Sequence, residues 1–272
     1  MLYEFIKLFI YEVCELLPLG AEAHAKLISY YFNYPTVSYE ERIICLLALG
    51  IGVFIYFISD FYKMIKEAFR ATWLLLIGRG IVSHVCKEFK YLNLLLSVVA
   101  VGAVYYPAHL LSEHIGNSYY LIGGMLIVSA FFLRISETFA FIKMDGRLLG
   151  YKDAFCFVAL QIISAFPGAS RMAIMIGGGK FLGIEKKHLI KFVFLSFVPV
   201  IFIRLGFYLE DVNTLFQIVY QHLWMFVALT LACVVFVAIA MKIFVSEGFY
   251  KFYYYLAGLG AWTILDVLFG KR

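Results

Sequence analysis

The chain has 272 residues, of which 64% are hydrophobic and 15% charged, and it carries 28 Phe and 20 Tyr. That balance excludes an ordinary soluble domain and fits a polytopic membrane protein whose aromatic residues meet lipid and its interfaces. The net charge of +5 comes from basic residues lying between apolar stretches, which is a topology pattern and not a nucleic-acid-binding one.

In chain order, residues 2–19 are apolar but interrupted by Glu12, Glu15 and Pro18. A simple span needs about 20 apolar residues, so this stretch is too short and too charged to be one. The expectation is a re-entrant pair of half-helices over 2–32 with its tip near 18–24. No basic cluster precedes MLYEFIKLFIYEV, so a cleavable signal is not expected. A span is expected at about 43–59, then a basic segment carrying Lys63, Lys66, Arg70, Arg79, Lys87 and Lys90, whose apolar patch at 73–77 reads as interfacial. Spans at about 92–111 and 121–141 follow. Residues 153–183 read as a second re-entrant pair with its tip at 167–171, and three spans close the chain at about 189–209, 222–244 and 249–268.

Basic residues crowd 60–90, 143–152 (Lys143, Arg147, Lys152) and 180–191 (Lys180, Lys186, Lys187, Lys191), whereas 112–119 and 210–221 have none. The positive-inside rule places the first three in the cytoplasm and the last two outside. One re-entrant pair then enters from each side, each followed by three spans. The expected fold is therefore an all-α polytopic membrane protein, a single membrane domain over 1–272. It is an inverted-topology repeat (first half 1–142, second half 153–268) with about six transmembrane helices and two re-entrant pairs. The two tips would meet near the midplane.

The second tip lies in QIISAFPGASRMAIMIGGG, Gln161 to Gly179. Pro167 and Gly168 break an apolar run, and Ser170 and Arg171 follow directly. A broken helix at membrane depth is tolerated only inside protein or along a cavity, and an Arg there marks a functional site. Arg offers a fork of donors that fits phosphate, and the following helix N-terminus adds free N–H groups. The first tip holds Glu15, Glu22 and His24, with Glu12 three residues before Glu15. A His beside a carboxylate is a general-base arrangement. Together the set suits phosphoryl transfer: a cation for the phosphate, a base for the nucleophile, and acids for protons or a divalent metal.

Bland readings stand beside these. Glu12 reads equally as an interfacial helix charge, His24 as an interfacial histidine, and Ser170 as a helix N-cap. Cys14, Cys45, Cys86, Cys156 and Cys233 lack metal-ligand spacing and read as small core hydrophobes. His84, His109, His114, His188 and His222 read as interfacial, as do the tyrosines of FYKFYYYLAGLG. GIGV at 50–53 and GGG at 177–179 lack a following Lys-Ser/Thr, so they read as close helix packing and not as nucleotide loops.

These residues resemble undecaprenyl-diphosphate phosphatase, the bacitracin-resistance protein family, over nearly the whole length. Its first motif is similar to E-x-x-x-E-F-L-P-V-S-S-x-G-H, where this chain has Y-E-V-C-E-L-L-P-L-G-A-E-A-H. Its second is similar to Q-x-x-A-x-x-P-G-x-S-R-S-G-A, where this chain has Q-I-I-S-A-F-P-G-A-S-R-M-A-I from Gln161 to Ile174. The resemblance implies hydrolysis of undecaprenyl diphosphate to the monophosphate, which recycles the lipid carrier for peptidoglycan and other cell-wall polymers. It implies a bacterial inner membrane, a site facing the periplasm, and a divalent cation such as Mg or Ca, with no organic cofactor. The partners implied are a polyprenyl diphosphate and the bilayer; a homodimer stays open. By matched position Glu15 and His24 would do acid–base work. Arg171, Ser170 and Gly168 would bind the diphosphate, with Ser170 or water as nucleophile. Glu12 and Glu22 are held in reserve as acids or metal ligands.

The chain departs from the pattern at several positions. The first acid falls on Tyr11, with Glu12 one place on, and a slip of one residue turns a helical side chain by about 100°. The motif-one serines are Gly20 and Ala21, Glu22 is new, the Ser-Gly after the Arg is Met172-Ala173, and the Tyr-Arg of the last span is Tyr253-Tyr254. A polyprenyl-phosphate transporter or a silenced lipid-binding homologue is the alternative expectation, since broken helices at the midplane also build carriers. A purely structural protein gives no reason for Arg171 at depth.

Overall fold

The computed structural model describes residues 2–35, 37–77, 90–115, 118–138, 149–150, 152–209, 211–245 and 249–270. Arg79, His84, Cys86, Lys87, Lys143 and Arg147 lie outside the described residues. The chain is an all-α polytopic membrane protein. Its helices are α1 (Leu2–Leu16), α2 (Ala21–Phe32), α3 (Tyr39–Tyr56), α4 (Ile58–Leu76), α5 (Lys90–Ile115), α6 (Tyr119–Thr138), α7 (Asp153–Ser164) and α8 (Arg171–Phe181). They continue with α9 (Lys186–Tyr208), α10 (Val212–Gln221), α11 (Leu223–Val245) and α12 (Phe252–Phe269), the last entered through a 3-10 turn at Phe249–Lys251. Among the described residues five helices are long and apolar enough to cross a membrane, or six if α3 and α4 count as one bent span.

Both expected breaks are present. α1 and α2 are parted at 17–20, where Gly20 takes φ 78, and α7 and α8 at 165–170, where Gly168 takes φ 91. Only glycine enters that left-handed region without strain. The breaks abut: a Cβ on Gly20 would lie 3.4 Å from the carbonyl oxygens of both Gly168 and Ala169. Around them the packing is reciprocal. α3 packs on α11 and α9 on α5; α1 packs on α11 and α7 on α5; α3 meets α9, and α6 meets α12. Each of these contacts has its counterpart when the two chain halves are exchanged, whereas the packing of α8 on α6 is not matched by α2 on α12.

Glycines permit these approaches. Gly52 of α3 lies on Cys233 of α11, and Gly102 of α5 lies on the Pro199 ring of α9, where added Cβ atoms would fall at 2.7 and 2.9 Å. The three glycines of α8 press on Phe132, on Leu160, and on Leu189 with Phe157, in turn. This bears out the packing reading of both glycine runs.

Two elements differ from expectation. The 43–59 span does not run straight into an irregular basic segment. α3 ends at Tyr56 and turns by 72° into α4, which carries Lys63, Lys66, Arg70 and the 73–77 patch on one helix. No Pro or Gly marks this bend. It is fixed by Asp60 bonding Lys191 of α9 at 2.8 Å, and by Glu67 accepting the backbone N–H groups of Tyr91 and Leu92 at the start of α5. The 210–221 loop contains the helix α10, begun by Asp211 accepting from the Thr214 N–H at 2.6 Å. Its Val212, Phe216 and Tyr220 are exposed.

Candidate active site

The two breaks enclose a cavity of about 50 Å³ lined by Glu15, Gly20, Glu22, Tyr105, Ser164, Ser170, Arg171, Phe197 and Arg204, among others. Its Glu22, Tyr105 and Ala165 also border a vestibule of about 710 Å³. The vestibule is walled by Tyr39 and Arg42 at the start of α3, Ser112 and Glu113 at the end of α5, and Phe207 and Tyr208 at the end of α9. Lys26 and His109 stand there too, so its rim mixes basic groups with the carboxylates Glu22 and Glu113.

Arg171 is the first residue of α8 and is 9% exposed. Its Nε donates to Gln161 Oε1 at 2.9 Å, Nη1 to the Val193 carbonyl at 3.1 Å, and Nη2 to Ser196 Oγ at 2.8 Å, with the guanidinium over the Phe197 ring. These acceptors are all neutral. They fix the geometry of the guanidinium without cancelling its charge, so its counter-charge must come from across the cavity or from an anion entering it. Ser170 is the N-cap of α8: its Oγ accepts from the Ala173 N–H at 3.4 Å, and its own N–H donates to Ser129 Oγ at 2.9 Å. Ser170 is therefore both the cap and a lining residue.

Across the cavity, Glu15 and Glu22 converge on Arg204 of α9. Nη1 lies 2.9 Å from Glu15 Oε1, and Nη2 lies 2.9 Å from Glu22 Oε1. Arg42 stands 3.6 Å from the same oxygen of Glu22, and Tyr11 OH donates to Glu15 Oε1 at 3.4 Å. Glu15, Glu22, Ser170 and Arg171 are thus brought together, as the spacing of the two tips led us to expect.

Three expected residues fall elsewhere. His24 does not line the cavity. Its Nδ1 contacts the Gly20 carbonyl at 3.0 Å and its Nε2 the Tyr255 hydroxyl at 2.7 Å, with the two rings stacked. Since the carbonyl only accepts, a neutral His24 donates from Nδ1 and accepts the tyrosine proton at Nε2. His24 instead walls an apolar groove of about 260 Å³ between α1 and α2, lined by Ile6, Ile10, Cys14, Ala21 and Ile28. The register fixed by the Gly20 turn puts its ring on the opposite face of α2 from Glu22. Glu12 is 1% exposed, has no hydrogen-bond partner on either oxygen among the described residues, and lies within electrostatic reach of Cys45 and Cys233 in the core instead of at an interface. Gly168 shapes the break and does not line the cavity; its absent side chain lets the chain pass the Ile122 backbone of α6, where a Cβ would lie 2.6 Å away. Cys14, Cys45 and Cys233 are buried free thiols, but Cys156 is exposed and not a core residue.

Sequence reasoning missed Arg204, Gln161 and Ser196. The signal for Arg204 was present: an Arg inside FVPVIFIRLGF is as costly at depth as Arg171, and the same argument selects it.

The family model described as Bacitracin resistance protein BacA matches residues 9–262. The chain belongs to this family. Similar proteins include the undecaprenyl-diphosphatase of Thermosipho africanus, 28% identical over 193 residues, covering 69% of this chain and 70% of the relative. That of Pelotomaculum thermopropionicum is 26% identical over 202 residues, covering 73% and 71%. That of Methanococcus vannielii is 26% identical over 200 residues, covering 69% and 70%.

A divalent cation finds a poor fit in this cavity. Among the described residues no three His, Cys, Asp or Glu side chains converge as a ligand set. The two carboxylates that do converge already share Arg204.

Proposed function

We propose that this BacA-family chain hydrolyses undecaprenyl diphosphate to undecaprenyl phosphate and phosphate. The observation that carries this reading is the buried Arg171, geometrically satisfied by neutral groups, at a helix N-terminus, in a cavity shared with Ser170, Arg204, Glu15 and Glu22. A fixed cation beside free helix N–H groups favours a bound phosphate and the charge that develops on it in the transition state. Carboxylates alongside supply the base.

The terminal phosphoryl group sits in the inner cavity against Arg171, Ser170 and the start of α8. Water attacks the terminal phosphorus, its proton passes to the unpaired oxygen of Glu15, and the bridging P–O bond breaks with the lipid monophosphate leaving. Ser170 acts here as a phosphate ligand. The polyprenyl chain lies in the apolar groove between α1 and α2, which shares Cys14 and Ala21 with the cavity and whose Ile6, Ile10 and Ile28 face lipid.

The membrane is the bacterial inner membrane and the vestibule faces the periplasm. Two facts support that orientation. The vestibule lies at the ends of α3 and α9 away from the basic segments, and those segments meet on one side through Lys191 and Asp60. One chain supplies every residue of the site, so a homodimer is not required by the chemistry. The role in lipid-carrier recycling for peptidoglycan follows from the product.

The test is phosphate release from undecaprenyl diphosphate by the purified, detergent-solubilised protein, beside Arg171→Ala. Release that the variant loses supports the reading. A folded wild-type protein that releases no phosphate would overturn it.

A further inference from the structure

In phosphoryl-transfer sites a divalent cation commonly sits between protein carboxylates and phosphate oxygens, neutralising both. Here that position is filled by a side chain. Glu15 approaches from the end of α1 and Glu22 from the first turn of α2, and each meets one terminal nitrogen of Arg204 at 2.9 Å. Arg204 is buried, with its side chain 8% exposed, in the same cavity as Arg171 and Ser170.

A guanidinium has five N–H donors. Two are spent on Glu15 and Glu22, and the others remain for phosphate oxygens. The group can therefore bridge carboxylates and phosphate at once, as a bound metal would. Arg42 backs Glu22 from the vestibule side at 3.6 Å, so the row Arg42, Glu22, Arg204, Glu15 alternates in sign going inward. The cavity thus holds Arg171 and Arg204 against Glu15 and Glu22, with Arg42 at its mouth as a third guanidinium. A metal inserted between Glu15 and Glu22 would have to evict Arg204 and leave it buried without its counter-charges, which is strongly unfavourable.

We infer that Arg204 occupies the divalent-cation position of this site, so that phosphate transfer by this chain proceeds on a guanidinium and needs no divalent metal. This rests on the phosphatase reading above, and two measurements keep the two separable. The first is phosphate release from undecaprenyl diphosphate by the wild-type protein after chelation with EDTA, with and without restored Mg2+. A rate that stays within about twofold supports the inference. A fall of tenfold or more that Mg2+ restores would overturn it. The second is Mn2+ binding to the lipid-free protein, followed by electron paramagnetic resonance, which is readable whether or not the protein turns over. Stoichiometric Mn2+ uptake that Glu15→Gln abolishes would overturn the inference; no uptake at this site supports it. If phosphate release fails under every condition, the phosphatase reading falls and the Mn2+ result alone decides the cation question. Arg204→Ala should lose about 100-fold in rate in EDTA, the scale of one missing transition-state donor, and regain part of it with Mg2+ or Mn2+. Arg204→Lys, which keeps a charge but cannot fork to two carboxylates, should show the same trend with a smaller loss. A wild-type rate for folded Arg204→Ala in EDTA would also overturn the inference.

Discussion

The two breaks use one local device, a glycine in the left-handed region, and reach opposite mechanical results. In α8 every residue from 171 to 179 is buried, and the helix is gripped by α6, α7 and α9. In α2 only Ala21, Ala23 and Leu27 are buried, and the helix packs chiefly on α1, touching α12 where His24 meets Tyr255. The second break is a fixed wall that holds a cation. The first is a looser one that carries the carboxylates, and it borders an apolar groove. Precision of charge placement and access for a long lipid are competing demands, and here they fall on different half-helices.

The largest effect expected from this contrast is on the fixed wall. Arg171→Ala should lower phosphate release by about 100- to 1,000-fold, because a preorganised donor set is lost and Gln161 and Ser196 lose their partner. Ser196→Ala, which removes one of the three anchors, should cost less; if both variants lose rate equally, the wall is not what positions the charge. Next comes packing. Gly178→Leu drives a side chain into Leu160 and should destabilise the protein by about 1–3 kcal/mol. Ile28→Ala on half-exposed α2 should leave the thermal midpoint in detergent nearly unchanged. Equal shifts would erase the distinction. Third, backbone amides of α2 should exchange with deuterium faster than those of α8 in the lipid-free protein, measured by mass spectrometry. Fourth, His24→Ala should change turnover of a short-chain diphosphate such as farnesyl diphosphate by less than about threefold; a loss near 100-fold would make His24 the general base after all. The smallest effect belongs to Glu12→Gln, which should leave phosphate release within about twofold, since Glu12 touches neither cavity nor groove.

Most of the fold was legible because it is written in one-dimensional signals. Apolar length gave the spans, and Pro18 and Pro167 with their glycines gave the breaks. The 72° turn at Phe57 was not legible, because it is held by Asp60 and Glu67 reaching helices far along the chain. The site was legible at Glu15, Glu22, Ser170 and Arg171, whose positions follow from the meeting of the tips. The direction of His24 was not, because residues two apart on a helix point to nearly opposite sides, and the Gly20 turn alone decides which side faces the cavity. Arg204 belongs to neither break, and only its apolar surroundings mark it in the sequence.

The glycines of α8 have a consequence for the electrical integrity of the membrane. The vestibule and the charged cavity are polar concavities in a membrane protein, so insulation of the low-dielectric slab falls on the remainder of the packing. That remainder includes the face where Gly177, Gly178 and Gly179 seat directly on Phe132, Leu160, Leu189 and Phe157, and the cavity of about 360 Å³ beside Gly178 is lined by apolar groups such as Phe132, Ile135, Leu160 and Phe181. An apolar lining disfavours water there, so the barrier behind the reaction chamber is hydrophobic and not merely steric. A carrier cycle would have to unseat these glycine contacts at every turn.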